Sequence, residues 1–255
     1  MSHHLVVVSD LRFAYADGTS ALRGIDFTLH HGESVGLVGA NGAGKSTLLL
    51  HLAGALMPAH GTVRIGDWPV TPKTLPQVRR SLGMVFQDPD DQLFMPTVED
   101  DVAFGPENLG FPPEEIESRV VASLERVGAL HLRRRTPHRL SGGEKRAVAI
   151  AGVLAMSPDV LVMDEPSSNL DPRARRRLIE QLKAFEHTKI IATHDLDLVL
   201  DVCARTIVLA EGRVAADGPT AQLLADDALL SASGLERPLR LQGCPRCAAR
   251  SAAPS

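Results

Sequence analysis

One nine-residue stretch, GANGAGKST from Gly39 to Thr47, constrains this chain more than any other. It fits G-x-x-x-x-G-K-[S/T] and stands between a strand-like run, SVGLVG, and a run of helical character, KSTLLLHLAGAL, the context such a motif requires. Gly39, Gly42 and Gly44 permit backbone conformations and close approaches that side chains would block. The N–H groups of Ala40, Asn41, Gly42, Ala43 and Gly44, with the helix start at Lys45, Ser46 and Thr47, can then surround the phosphates of a nucleotide. Lys45 would reach the β- and γ-phosphates, and Ser46 would ligate Mg²⁺. A strand must feed this loop and a helix must leave it, so the rest of the chain has to supply an α/β layer around it.

The pattern along the chain supplies one. LVVV (Leu5–Val8) and IDFTL (Ile25–Leu29) read as strands flanking the turn signal Asp17-Gly18, and TVRIG and LGMVFQ as further short strands. From Pro89 to about Met156 strand signals stop. There Ile116, Val120, Leu124 and Val127 recur at helical spacing behind a proline and two acids. Strands return in VLVMD, KIIAT and the hairpin RTIVLAEGRVAAD, whose turn is Glu211-Gly212-Arg213. Alternating strands and helices predict a parallel sheet, with the middle block as a helical insertion. The segment from Arg237, rich in Pro, Ala, Ser and Arg, reads as a loosely held tail.

Composition narrows the setting. With 255 residues and a net charge of -4 the chain shows no global attraction for nucleic acid. Three cysteines make no even disulfide framework, which favours a reducing compartment. No signal peptide is read at the N-terminus. The longest apolar run, Ala147–Met156, spans 10 residues, short of the roughly 18 of a membrane span. Any membrane role is expected to come through a partner.

Three further motifs bear on a nucleotide. VLVMDE ends an apolar strand on Asp164 and Glu165. A strand buried on both faces that stops in adjacent carboxylates suits a cation and a catalytic water; Asp164 is read as the Mg²⁺-side carboxylate and Glu165 as the general base. LSGGEKRAVAIAGVLAM begins with Ser141 as a cap, followed by Gly142, Gly143 and Glu144. This is a second anion-seeking helix start in a chain with one phosphate loop, and it makes sense if it closes over the nucleotide of another copy. His194, after KIIA, stands at a strand tip where a histidine can contact a γ-phosphate or be an ordinary polar residue. Gln87, ending GMVFQ, serves Mg²⁺ or the attacking water, or is a plain strand-end amide.

The order GANGAGKST, Gln87, LSGGE, VLVMDEP, SSNLD and His194 resembles the nucleotide-binding subunit of ATP-binding-cassette transporters over about residues 5–225. The resemblance implies an α/β fold with a RecA-like parallel sheet core, a small antiparallel β subdomain and a helical subdomain inserted at about 89–157, in a cassette of residues 1–236 with 237–255 as tail. It implies ATP and Mg²⁺ as ligands and ATP hydrolysis as the activity. Tyr15 of LRFAY would stack on adenine, and Asp171 would line a seam between two subunits facing head to tail, a homodimer or pseudo-dimer. Each nucleotide would lie between one chain's phosphate loop and the other's Ser141, Gly142 and Gly143. Glu144 departs from the Gln of many relatives and matches some branches.

One acidic stretch, FQDPDDQLFMPTVEDDVAFGPENLG (Phe86–Gly110), mixes five Asp and two Glu with apolar residues. Its wording resembles the energy-coupling-factor branch, which imports vitamins and cobalt or nickel ions. There this groove receives the coupling helices of a transmembrane subunit and, through it, a substrate-binding membrane component. Asp90 and Asp91 would pair with guanidinium groups at one end of a groove lined by Leu93, Phe94 and Phe104. The recognisable cassette ends near residues 225–235, which resembles the short ATPases of the cobalt and nickel systems (the CbiO-like type) at the cytoplasmic face of the membrane. A soluble cassette ATPase acting on ribosomes or DNA is the rival reading, and a phosphate-loop kinase a third that leaves LSGGE unexplained.

Some signals are set aside. Arg173–Arg177 (RARRR) reads as a solvated helix face, His3-His4 and His30-His31 are too short for a metal tract, Cys244–Cys247 offers half a zinc site, and Cys203 reads as core.

Overall fold

The computed structural model describes residues 4–242. Along them run β1 (His4–Ala14), β2 (Ser20–His30), β3 (Ser34–Val38), α1 (Lys45–Leu52), β4 (His60–Ile65), β5 (Trp68–Pro69), α2 (Leu75–Ser81) and β6 (Leu82–Val85). Then come α3 (Val98–Asn108), α4 (Pro113–Arg126), α5 (Gly142–Ala155), β7 (Val160–Asp164), α6 (Pro172–Ala184), β8 (Thr188–Ala192) and α7 (Leu196–Val202). The described chain closes with β9 (Arg205–Ala210), β10 (Arg213–Pro219), α8 (Thr220–Leu223) and α9 (Asp227–Ala232).

Two sheets form. The larger has the order β10-β9-β3-β8-β7-β6, parallel at every pairing except the β9–β10 hairpin. The smaller, β2-β1-β4-β5, is antiparallel. The parallel strands are buried on both faces because their apolar residues alternate between two cores. Val38, Val85, Leu161, Met163, Ile191 and Val208 face α5, α6 and α7. Val35, Leu37, Val160, Val162, Ile190 and Leu209 face α1 and the antiparallel sheet. Each such side chain contributes about 1.5–3 kcal/mol on burial, so this sandwich holds the strand tips in register. At two points helices lie directly on strands: a Cβ on Gly36 would collide with Val199 Cγ1 of α7, and one on Gly83 would collide with Val153 Cγ1 of α5.

The expected architecture holds, with local departures. β1 and β2 run to 11 residues each, well past LVVV and IDFTL, because Leu11 and Leu22 continue the buried face. Asp10, at φ 43, lies where the β1–β2 register shifts and lets that continuation happen. The short helix α2, which buries only Val78, carried no periodic signal. In α4, Pro113 opens the helix, and Val120, Leu124 and the following Val127 are buried while Ile116 packs at the margin. Cys203 is buried. Arg173, Arg176 and Arg177 are exposed, but Arg175 turns inward to a bidentate pair with Asp195 at 2.6 and 2.8 Å.

The tail expected to be loose from Arg237 is held as far as Gln242. Arg237 pairs with Asp227 at 2.7 Å and Arg240 with Asp201 at 2.8 Å, while the N–H groups of Leu239 and Arg240 donate to Asp197. Composition suggested looseness; three carboxylates on α7 and α9 decide otherwise. His3, Cys244 and Cys247 lie outside the described residues.

Candidate nucleotide site

The site begins where β3 stops. Gly42 (φ 80) and Gly44 (φ 103) take left-handed conformations in the loop, and α1 starts with Gly44 as N-cap. That cap has no side-chain hydrogen bond, and the first helical turn holds no acid. The amide end of α1 is thus left open to an external anion. Lys45 is buried, its Nζ donating to the carbonyls of Gly39 (2.8 Å) and Ala40 (3.2 Å). Burial pushes its pKa down, against the pull of Glu165 and Asp164.

β7 and β8 are parallel neighbours, with Asp164 opposite Ala192. Their tips therefore bring Asp164 and Glu165 beside Thr193 and His194. Asp164 is buried, and its Oδ1 has no partner. Burial raises its pKa, while a hydrogen bond from Ser46 works the other way. An orphaned buried carboxylate oxygen next to the Ser46 hydroxyl is the donor set a small oxygen-seeking divalent cation fits. Glu165 sits at φ 44, a conformation uncommon for a non-glycine residue and typical of constrained sites. It is held there from several sides. Its N–H donates to Ala192 O (2.8 Å), and its carboxylate accepts the Thr193 hydroxyl (2.9 Å) and the His194 N–H (3.1 Å). His194 Nδ1 lies 2.9 Å from the same carboxylate, with the imidazole largely exposed.

Tyr15, the phosphate loop, Gln87, Glu165 and His194 line one open cleft of about 630 Å³, joined by Thr19–Ala21 from β2 and its turn and by Gly234 and Leu235 from after α9, a size that suits a nucleotide. Tyr15 stays 41% exposed while its hydroxyl bonds Thr47 Oγ1 at 2.8 Å. Phe13 packs edge-on against it at 5.1 Å.

Ser141, Gly142, Gly143 and Glu144 are not among the residues lining that cleft. They start α5; Ser141, Gly143 and Glu144 line a separate cleft, and the capping box there is complete. Ser141 Oγ accepts the Glu144 N–H (3.4 Å), and Glu144 Oε2 accepts from the Ser141 N–H and hydroxyl, both at 2.8 Å. Asp171 caps α6 beside it by accepting from Arg173 N (2.8 Å) and Ala174 N (2.9 Å), with Pro172 at the first helical position.

In the acidic stretch, Phe94 and Phe104 are exposed and stack edge to face at 4.9 Å. Leu93, between the turn at Pro89–Asp91 and Phe94, is partly buried and packs against the helical core. Asp90 is already paired with Lys145 of α5 at 2.6 Å. Asp90 and Asp91 border a polar cleft shared with Gln87, Lys145 and Asn169, without either phenylalanine.

Sequence reasoning missed Thr193, Arg146, Gly234 and Leu235. Thr193 adjoins His194 and was within reach. The others carry no local signal, since only packing brings them to the site.

A profile of the ABC transporter family matches residues 22–168. The chain belongs to that family. It is an ABC transporter ATPase. A protein of Geobacter sulfurreducens, named as an ABC transporter ATP-binding protein, is 67% identical over 247 residues, covering 97% of this chain and 99% of its own. The energy-coupling factor transporter ATP-binding protein EcfA of Methanothermobacter thermautotrophicus is 46% identical over 239 residues, covering 92% of this ABC ATPase and 77% of its own length. Among solved structures, cbiO1 from Clostridium perfringens, described as part of the ABC transporter complex cbiONQ, superposes with a TM-score of 0.82 at 38% identity, covering 99% of this chain and 100% of its own. ABC ATPases dimerise and work with membrane subunits. No described helix of this one is long and apolar enough to cross a membrane.

Proposed function

We propose that this ABC ATPase hydrolyses ATP in a homodimer and energises an energy-coupling-factor importer from the cytoplasmic face of the membrane. The observation that carries the dimeric reading is the division of the site. The phosphate cleft holds Lys45, Glu165 and His194, while Ser141, Gly143 and Glu144 line a separate cleft of the same chain. Two chains set head to tail complete both sites, with Asp171 at the seam.

In this reading Tyr15 stacks on adenine and the amides of Gly39–Thr47 take the phosphates. Ser46, Gln87 and Asp164 hold Mg²⁺, which when bound draws negative charge from the phosphate oxygens. Glu165, fixed by Thr193 and by the His194 N–H, orients a water in line with the γ-phosphorus and accepts its proton. The bond from the γ-phosphorus to the bridging oxygen breaks, and Lys45 neutralises charge on the departing diphosphate side. The Glu165→Gln variant keeps ATP binding, accumulates a closed dimer and loses about 10²–10⁴-fold in turnover. Normal turnover in a steady-state phosphate assay would remove Glu165 as the base.

Similarity to EcfA and to cbiO1 supports the importer class. The exposed pair Phe94 and Phe104, with Asp91 and the Lys145-paired Asp90 nearby, is the surface for a transmembrane coupling subunit (CbiQ- or EcfT-like) and, through it, a substrate-binding component. Phe94→Glu releases that subunit in a detergent pull-down while the isolated chain still binds ATP; full co-purification would move the docking surface elsewhere. Cobalt or nickel is the proposed cargo, supported by likeness to the cbiO1 complex. Uptake of a vitamin but not of labelled cobalt or nickel by the assembled system would overturn it.

A further inference from the structure

The phosphate loop is backed by chain that follows residue 200, and one of its supports comes from beyond the last strand. A side chain on Gly39 would collide with the Leu209 carbonyl of β9, and the Ala43 carbonyl accepts from the Gly212 N–H of the β9–β10 turn (3.2 Å). The further support is the turn after α9. There the Leu235 N–H donates to Leu230 O (2.8 Å) and the Gly234 N–H to Ser231 O (3.1 Å), with Gly234 left-handed at φ 68, a glycine-ended helix stop. A Cβ on Gly234 would lie only 3.2 Å from Ala40 Cβ, inside ordinary van der Waals contact. Gly234 and Leu235 also line the nucleotide cleft. Ala40, which this turn abuts, shares in holding Lys45: its carbonyl and that of Gly39 accept from Nζ at 3.2 and 2.8 Å. The turn is itself pinned on both sides. Arg237 grips Asp227 at 2.7 and 2.8 Å and the Ala225 carbonyl at 3.2 Å. Arg240 grips Asp201 at 2.8 and 3.1 Å, while Asp197 takes the N–H groups of Leu239 and Arg240. Asp197 and Asp201 belong to α7, whose N-cap Asp195 adjoins His194. Ion pairs as exposed as these add little to stability; what they fix is where the Gly234–Leu235 turn sits.

We infer that the Gly234–Leu235 turn is a wall of the ATP site, and that the Asp227–Arg237 and Asp201–Arg240 pairs are positioning residues that hold it against the phosphate loop. The turn limits how far Ala40 can move away from the cleft. It thereby sets where the carbonyls of Gly39 and Ala40 hold the Lys45 ammonium before phosphates take their place. Half-buried Leu235 gives the wall an uncharged face. Affinity for ATP thus depends on a segment far along the chain from the phosphate loop, through one backbone contact that only a glycine allows. The inference rests on placing ATP in this cleft.

The test titrates the full chain with Mg-ATP well below its unfolding transition and follows phosphate release alongside. Arg237→Glu and Asp227→Arg should each raise Kd and KM for ATP about threefold to fivefold, the range an exposed pair supports, with kcat little changed. The double exchange should restore most of the affinity. Gly234→Ala should cost more, about tenfold, because the left-handed backbone resists a methyl and the methyl crowds Ala40. Leu235→Glu, which puts a carboxylate on the wall, should weaken ATP binding more than Leu235→Gln, with the gap closing as salt rises. A lower Tm with unchanged Kd across these variants, or equal effects of Glu and Gln at position 235, would overturn the wall and leave a stabilising segment. If 8-azido-ATP labels neither residues 15–21 nor 39–47, the placement of ATP fails, and the inference with it. Should Gly234→Ala or a charge reversal fail to fold, Arg240→Gln, which frees Asp201, is held to the same rise in Kd.

Discussion

The N-termini of α1 and α5 both offer free amides and the positive end of a helix dipole, yet they are finished in opposite ways. At α1 the cap is a glycine with no side chain to spend on the amides, no acid sits in the first turn, and the nearby cation folds onto loop carbonyls. At α5, Ser141 and Glu144 satisfy each other's groups in a closed box. In the proposed two-chain arrangement, the helix start that takes its own chain's phosphate is left unfinished, whereas the one offered to a partner is closed by its own side chains. Such a cap stabilises the helix by only about 1 kcal/mol, little enough to be exchanged for a phosphate. Hydrogen bonds from Ser141 lower the pKa of Glu144.

The comparison can be broken most sharply at the open end. Lys45→Met should weaken ATP binding by about two orders of magnitude, ~3 kcal/mol, with thermal stability unchanged or raised because a buried cation is gone. Nucleotide titration that finds full affinity would show that the loop amides suffice. At the closed end, Ser141→Ala should cost about 1 kcal/mol of stability, read as a lower Tm. It should spare ATP binding by the single chain and cut turnover about tenfold or more. A variant that binds ATP and turns over normally would make Ser141 a cap and nothing else.

The smallest effect sharpens the contrast. Glu144→Gln retains a group that can accept from Ser141 but removes the negative charge that an arriving phosphate meets. ATP-dependent dimerisation should strengthen by a few-fold, consistent with a charge term of about 0.5–1 kcal/mol at a partly exposed site. The pH behaviour follows in sign. A lowered glutamate pKa stabilises the fold above the ordinary glutamate value, and that contribution is lost as pH falls through the depressed one. Glu144→Gln should flatten this dependence in Tm measured across acid pH; an unchanged slope would place its origin elsewhere.

Much of the site could be read from residue order. The phosphate loop, the Asp164–Glu165 strand end and the Ser141 start are local patterns, because glycine placement, apolar runs and caps act over a few residues. How far each apolar residue of the interleaved acidic stretch is buried was not legible: Leu93 is partly buried against the helical core while Phe94 beside it is exposed, a difference that packing decides. The held segment to Gln242 was hidden because Asp197, Asp201 and Asp227 lie 10 to 43 residues from the groups they bind.

The sequence by itself determined that a nucleotide loop opens a helix after a parallel strand, that two acids end a buried strand, and that a second glycine-bearing helix start is capped by Ser141. Each follows from short-range backbone and burial rules. Only the tertiary structure decided that Glu165 is held in a left-handed conformation by Thr193 and His194, that Asp164 carries an unmatched buried oxygen, and that Arg146 ties the Gln87 loop to α5. Those facts depend on which strand tips and helices meet, and the packing of two hydrophobic layers on one sheet settles that.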